Sequence, residues 1–159
     1  MNTKTAFLLP VLAATAALAI AGCGSDSSSS DSTSTAADAT TTTAAATPLT
    51  SVDMAMSEFK FAPDTVTVAA GKVPITQKNT GAVVHEFVLL KSDKPADSFA
   101  VKNGQINEEA VGTNVGEIED VAPGKSKSKT FDLKPGKYVF ICNLSGHYAG
   151  GMYGSMVVQ

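Results

Sequence analysis

Cys142, His147 and Met152 stand at equal intervals in one short segment, Cys142-Asn143-Leu144-Ser145-Gly146-His147-Tyr148-Ala149-Gly150-Gly151-Met152, a C-x4-H-x4-M pattern. A thiolate, an imidazole and a thioether so spaced can turn toward one point, because Gly146, Gly150 and Gly151 permit a tight loop. The chain has one further imidazole, His85, inside the apolar run Val83–Leu90, and one further thiol, Cys23. Taken singly, each has an ordinary reading: His85 as a half-buried histidine, Cys142 as a buried free thiol, Met152 as a core or loop methionine. Their conjunction points to chemistry, since the loop follows an apolar strand and a second strand brings the distant imidazole.

The donor types select the metal. Soft thiolate and thioether favour copper, above all Cu(I), and imidazole also accepts Cu(II). Two His and one Cys in a trigonal plane with a long, weak Met bond on the axis is the blue-copper arrangement. Zinc is the competitor, but zinc sites rarely use Met. The pattern therefore predicts one copper ion.

Short β-type runs separated by turns must position these residues. Asp64–Val68 alternates, Ala70-Gly71-Lys72 turns, and Val73–Gln77 alternates again. Asn79-Thr80-Gly81 marks a turn before Val83–Leu90. Pro123-Gly124 and Pro135-Gly136 bracket Lys129–Leu133, and Lys137–Cys142 and Ser155–Val158 read as further strands. Met54 and Met56 share one face of a first strand, which suits core packing. Lys125, Lys127 and Lys129 alternate with Ser126 and Ser128, as a solvent face does. Residues 92–112 lack alternation, and a short helix is assigned near Ala96–Val101. Seven to eight short strands predict an all-β fold, an antiparallel sandwich.

The N-terminal part has a different composition. Lys4 precedes an apolar run from Ala6 to Ala21, which is short for a membrane span and fits the core of a secretory signal. It ends in Ile20-Ala21-Gly22-Cys23, which resembles the lipobox of bacterial lipoproteins. Residues 1–22 are thus expected to be a lipoprotein signal peptide, with Cys23 the lipidation site. Residues 24–50, nearly all Ser, Thr, Ala and Asp, cannot form a core and are expected to be a disordered linker. Such a coil of 27 residues has an end-to-end distance of roughly 30 Å. The folded domain is assigned to 51–159, and the protein to the outer face of a membrane, in a periplasm or at a cell surface.

Residues 51–159 closely resemble the cupredoxins, or blue copper proteins. Phe59–Val68 with Gly71, then Asn79-Thr80-Gly81 ahead of His85-Glu86-Phe87-Val88, look like the first half of that fold. Cys142, His147 and Met152 look like its C-terminal ligand loop, with a spacing similar to sulfocyanin and rusticyanin-like members. The resemblance implies a Greek-key β-sandwich, one type 1 copper and one-electron transfer. It also implies equatorial ligands His85, Cys142 and His147, an axial Met152, and His147 as the point where the electron enters. Ala82, Val83, Leu144 and Ala149 are candidates for a docking patch around it, or for packing the sandwich end. Plastocyanins and azurins usually place Asn after the first His. Here that position is Glu86, expected at the solvent or paired with a Lys.

Other function classes are poorly served. The domain carries 11 Lys, no Arg and 12 acids, once Lys4, Asp26, Asp31 and Asp38 are set aside, so no basic stripe invites nucleic acid. With two His in all, both committed to metal, no imidazole is left for a catalytic copper or a Ser/His/Asp set, and no enzyme activity is expected. The expected protein is a monomer, held to the membrane by its lipid, exchanging electrons with redox protein partners. The alternative is a copper-binding module for storage, resistance or delivery.

Overall fold

The computed structural model describes residues 47–159. The expected signal segment 1–22, Cys23 and nearly all of the linker lie outside the described residues. Eleven strands and one short helix follow in order: β1 Val52–Ser57, β2 Lys60–Ala62, β3 Thr65–Val68, β4 Gly71–Asn79, β5 His85–Lys91, β6 Val101–Lys102, β7 Gln105–Ile106, α1 Glu108–Val111, β8 Thr113–Val121, β9 Ser126–Leu133, β10 Gly136–Ile141 and β11 Tyr153–Val158. Nine of them form two sheets, β2-β1-β4-β9 and β3-β11-β10-β5-β8, and β6-β7 is a separate hairpin. Pairing is antiparallel except for β1 with β4 and β3 with β11. The expected Greek-key sandwich is present.

Period-two alternation drives the packing between the sheets. Val52, Met54 and Met56 of β1 are buried while Asp53 is exposed, so the two methionines are core residues. From the other sheet, His85, Phe87 and Leu89 of β5 and Tyr138 and Phe140 of β10 are buried, and all but His85 join the same hydrophobic cluster. Phe87 is the aromatic hub, stacked on Phe140 at 5.4 Å between centroids and meeting Phe61 and Phe131 edge-on at 5.9 and 6.1 Å.

A second cluster lies on the outer face of the five-stranded sheet. Val88, Leu90, Val139 and Ile141 point there and are covered by Ile106, Val111 and Tyr148, with Phe99 and Ala96 packed at the margin. This explains the near-continuous apolar run of β5: the strand is buried on both faces, and residues 92–112 are its lid. Tyr148 fastens that lid. Its hydroxyl donates to the Ala96 carbonyl (2.8 Å) and accepts from the Phe99 N–H (3.0 Å), and its ring stacks on Phe99.

Two expectations are corrected here. The strand count rises to eleven because two- and three-residue strands flank turns too short to show alternation. The helix assigned near Ala96–Val101 is absent. Ser98 closes a turn on the Pro95 carbonyl, and the Phe99 N–H that would continue a helical ladder is taken by Tyr148. Helix α1 lies instead at Glu108–Val111, with Glu108 and Glu109 in its first turn, where the helix dipole favours acids. Strand β8 escaped the sequence pattern because it is a sheet edge, rich in Glu, with most residues part-exposed.

Replacing Tyr148 by Phe keeps the ring packing and removes both hydroxyl bonds. The expected cost is about 1–2 kcal/mol in urea unfolding of the metal-free protein. An unchanged midpoint would mean that the hydroxyl does not hold the lid.

Candidate metal centre

The site grows from strand register. Strands β5 and β10 pair with Ile141 opposite Val88 and Phe140 opposite Leu89. Continuing that register places Cys142 opposite Phe87 and Asn143 opposite Glu86. Cys142 therefore falls on the inner face with Phe140, and Asn143 falls on the outer face. On the other side, β10 and β11 pair with Ile141 opposite Tyr153, and the next rung is the Cys142 N–H donating to the Met152 carbonyl (3.1 Å). The ligand loop is thus closed by a ladder bond between its first and last residues. Gly146 and Gly151 take φ of 85° and 105°, a region closed to most side chains, and let the loop fold back on itself. Within it, the His147 N–H donates to the Leu144 carbonyl, and the Met152 N–H to the His147 carbonyl.

His85 opens β5 beside a β-bulge. His85 pairs with Val121, but Phe87 pairs with Ile118, so β8 carries one extra residue there. Asp120 absorbs it at φ 49°. The loop before His85 is held by Asn79, which is fully buried. Its amide donates to the carbonyls of Val83 (2.6 Å) and Val121 (2.7 Å), and its Oδ1 accepts from the Gly81 N–H (2.8 Å).

These elements bring His85, Cys142 and His147 together, with their donor atoms all within 4.8 Å of one another. The two Nδ1 atoms lie 3.2 Å apart, and the Cys142 sulfur lies 3.2 Å from Nδ1 of His147. Two lone-pair nitrogens facing a sulfur repel unless a proton or a cation lies between them, so the donor set fits one shared soft metal ion. Met152 is fully buried at the end of the loop and belongs to the same cluster as Cys142.

The surroundings favour the uncharged forms of the metal-free side chains. Burial lowers the pKa of both imidazoles, with the neighbouring His147 adding to the effect at His85 and Glu58 opposing it. Burial likewise pushes the Cys142 thiol up to about 11. The sulfur accepts a weak bond from the Glu86 N–H at 3.5 Å.

Glu86 does not point to solvent or pair with a Lys, as its sequence position suggested. Its carboxylate accepts the Asn143 N–H at 2.9 Å, so it still ties the first ligand strand to the ligand loop. The Asn that usually follows the first His is unnecessary for that bond, because the donor is backbone. Desolvation raises the Glu86 pKa, with the Asn143 N–H opposing the shift.

Four contributors had gone unnoticed in the sequence. Asn143 joins the loop to the lid: its side chain bonds the Ile106 backbone in both directions and donates to Glu108 (2.9 Å), while its carbonyl accepts from Gln105 (2.8 Å). Phe59 meets the His147 ring edge-on at 5.0 Å and is 40% exposed. Its place in an apolar motif was visible, but not its contact. Glu58 accepts the N–H groups of Ala82 (2.5 Å) and Val83 (3.0 Å), which hold its pKa down. Asn79 had been read only as a turn residue, and its place at the end of a β-run was the available signal.

A two-sheet β-sandwich with a Cys/His loop at one end and a second His on the neighbouring strand is the architecture of a cupredoxin. Residues 48–159 match the copper-binding proteins of the plastocyanin/azurin family, and the chain belongs to that family. Among solved structures it is similar to auracyanin from Roseiflexus castenholzii, at 29% identity and a TM-score of 0.57 over 71% of this chain and 99% of that one. Auracyanin A from Chloroflexus aurantiacus is similar at 23% identity and a TM-score of 0.53, covering 71% of this chain and 100% of that one. Rusticyanin from Thiobacillus ferrooxidans shares the fold at 20% identity and a TM-score of 0.50, covering 69% and 78%. No curated protein sequence matches the chain. The donor set and the family together support one copper ion as the cofactor.

With the thiol held as S–H up to about pH 11, copper uptake at neutral pH must displace its proton. Burial lowers the pKa of both imidazoles, so the thiol is the main source of a released proton. Titrating the metal-free protein with Cu(II) in weak buffer should release close to one proton per ion, and affinity should rise with pH below 11. Release of no proton would mean that Cys142 is not a ligand.

Proposed function

We propose that the protein is a one-electron carrier built on a type 1 copper centre, with His85, Cys142 and His147 as equatorial ligands and Met152 as the long axial ligand. The observation that carries this reading is the convergence of the three donors on a frame whose loop is closed by a ladder bond between its first and last residues. A copper ion held by these residues would supply the Cu(II)/Cu(I) couple needed for one-electron exchange between a reduced donor and an acceptor. The residues' part is to change little between the two states. His85 is held by the bulge and Asn79, Cys142 by its sheet, and His147 by the loop's own hydrogen bonds.

His147 is the route for the electron. It is part-exposed, and Phe59, Val83 and Val84, exposed by 40, 43 and 39%, lie on the segments that flank the imidazole pair. Ala82 and Ala149 are also exposed, while Leu144 packs against the core instead. This apolar rim suits brief docking of a redox protein, which excludes water without binding tightly. The signal-like segment, the lipobox-like Cys23 and the polar linker support a domain tethered outside the cytoplasmic membrane as a monomer. Both histidines are used in this one site, which favours a carrier over an enzyme. Storage or delivery of copper is the alternative, but Met54 and Met56 are core residues and offer no second, accessible copper site.

The visible spectrum of the Cu(II)-loaded protein tests the reading. A strong orange-red band that bleaches with ascorbate and returns on oxidation is expected, as is complete loss of the band in His85→Ala and Cys142→Ser. Met152→Leu should keep the copper and raise the potential, because Cu(II) loses more than Cu(I) when the fourth donor is removed and three-coordinate Cu(I) is satisfied by the remaining soft and imidazole donors. Copper bound only as Cu(I), with no band, would move the protein to storage or delivery. A lower potential in Met152→Leu would overturn the axial assignment.

A further inference from the structure

His85 is fully buried, and its outer ring nitrogen, Nε2, has no hydrogen-bond partner. A neutral imidazole that gives its Nδ1 lone pair to a metal must carry its proton on Nε2. That N–H then needs an acceptor, since a buried donor left unpaired is costly. The charged group that faces it is the Glu58 carboxylate, 3.7 Å away. This is longer than a formed hydrogen bond, and the carboxylate is about one-third exposed to solvent, but at this distance its charge still acts on a ring that is itself fully buried.

Glu58 is not there by accident of a loose side chain. It sits in the turn between β1 and β2, and one carboxylate oxygen is pinned by the N–H groups of Ala82 and Val83 at 2.5 and 3.0 Å. The segment it grips leads directly into His85. That segment is also stitched to the end of β1, through the Thr80 N–H and hydroxyl on the Met56 carbonyl (2.8 and 3.0 Å). Gly81 lies so close that a Cβ there would strike the carboxylate. Two strand ends and a glycine therefore fix one negative charge beside the outer nitrogen of the buried imidazole.

We infer that Glu58 is a positioning residue for the copper centre: its carboxylate takes the Nε2–H of His85, fixes Nδ1 as the metal-facing lone pair, and biases the couple toward Cu(II). The inference rests on the copper reading above and deepens it. A carboxylate behind a metal-bound histidine raises the basicity of the ring and orients it. Its charge also stabilises the more positive oxidation state, so this site holds a lower potential than the same ligands would without it.

The test uses the copper-loaded full-length protein. Glu58→Gln keeps an oxygen that can accept from Ala82 and Val83 and removes only the charge. Its midpoint potential, read by spectroelectrochemistry with the blue band retained, should rise by about 59 mV, a tenfold shift in relative affinity toward Cu(I). Asp53→Asn is the control. Asp53 is exposed on β1, five residues back and roughly 16 Å along the strand, beyond the distance at which salt leaves an exposed charge effective. It should leave the potential unchanged. In the Cu(I) protein, NMR should show a slowly exchanging His85 Nε2–H, and Glu58→Ala should speed its exchange at least tenfold. If Glu58→Ala does not fold, the Glu58→Gln potential and the N–H of the unsubstituted protein decide. A Glu58→Gln potential no different from Asp53→Asn, or a fast-exchanging N–H in the unsubstituted protein, overturns the inference while the blue band upholds the copper reading. Absence of the band from the unsubstituted protein overturns both.

Discussion

The register between β5 and β10 is the constraint on which the site depends. Its period of two puts Phe87 and Phe140 on the inner face, and carries Cys142 to that face as the next inward residue after Phe140. A slip of one residue would turn Cys142 out toward the lid and bring Asn143 inward, leaving a buried amide where the thiol stands. Two cores oppose that slip. The inner one closes around the Phe87–Phe140 stack, and the outer one traps Val88, Leu90, Val139 and Ile141 beneath residues 92–112. A strand with one solvated face would resist slippage only from one side.

The lid therefore has a role beyond covering apolar surface. Tyr148, beside one histidine, and Asn143, beside the cysteine, each reach out to it, so the ligand loop is bonded to the lid as well as to its own sheet. Loops at the end of a sandwich are ordinarily its most mobile parts. This one is anchored at both strand ends and across its outer flank. Such anchoring suits a centre that must keep nearly the same geometry in two oxidation states. It also explains why Glu86 is tolerated where relatives place Asn: the bond across to the loop needs only an acceptor for a backbone N–H.

How far the sequence discloses this follows from the range of each interaction. The strands were legible wherever one or both faces are buried, because burial imposes alternation or continuous apolarity over several residues. The ligand loop was legible because three of its donors lie within eleven residues of chain. Strand β8, an exposed edge, carries no such pattern. The segment that looked helical at Ala96–Val101 is governed by Tyr148, some fifty residues on, and local propensity cannot register so distant a competitor. Glu86 was visible as a departure, but its partner is fixed by register. Glu58 gave no signal at all, since an exposed acid in a turn acquires meaning only from what folds across from it.

The two imidazoles are placed in different surroundings, and that difference divides their work. His85 is sealed from solvent and approached at its outer nitrogen by a carboxylate, a position from which the protein can influence the ion but no partner can touch it. His147 is part-exposed, its ring edged by an exposed phenylalanine, a position open to a partner. Adjacent residues of a single turn serve the two sides, Glu58 facing His85 and Phe59 facing His147. A turn that sets both the charge behind one ligand and the apolar rim before the other couples tuning to docking through two residues of backbone. Any change that moves this turn must then alter both properties together, whereas a side-chain substitution at one position can separate them.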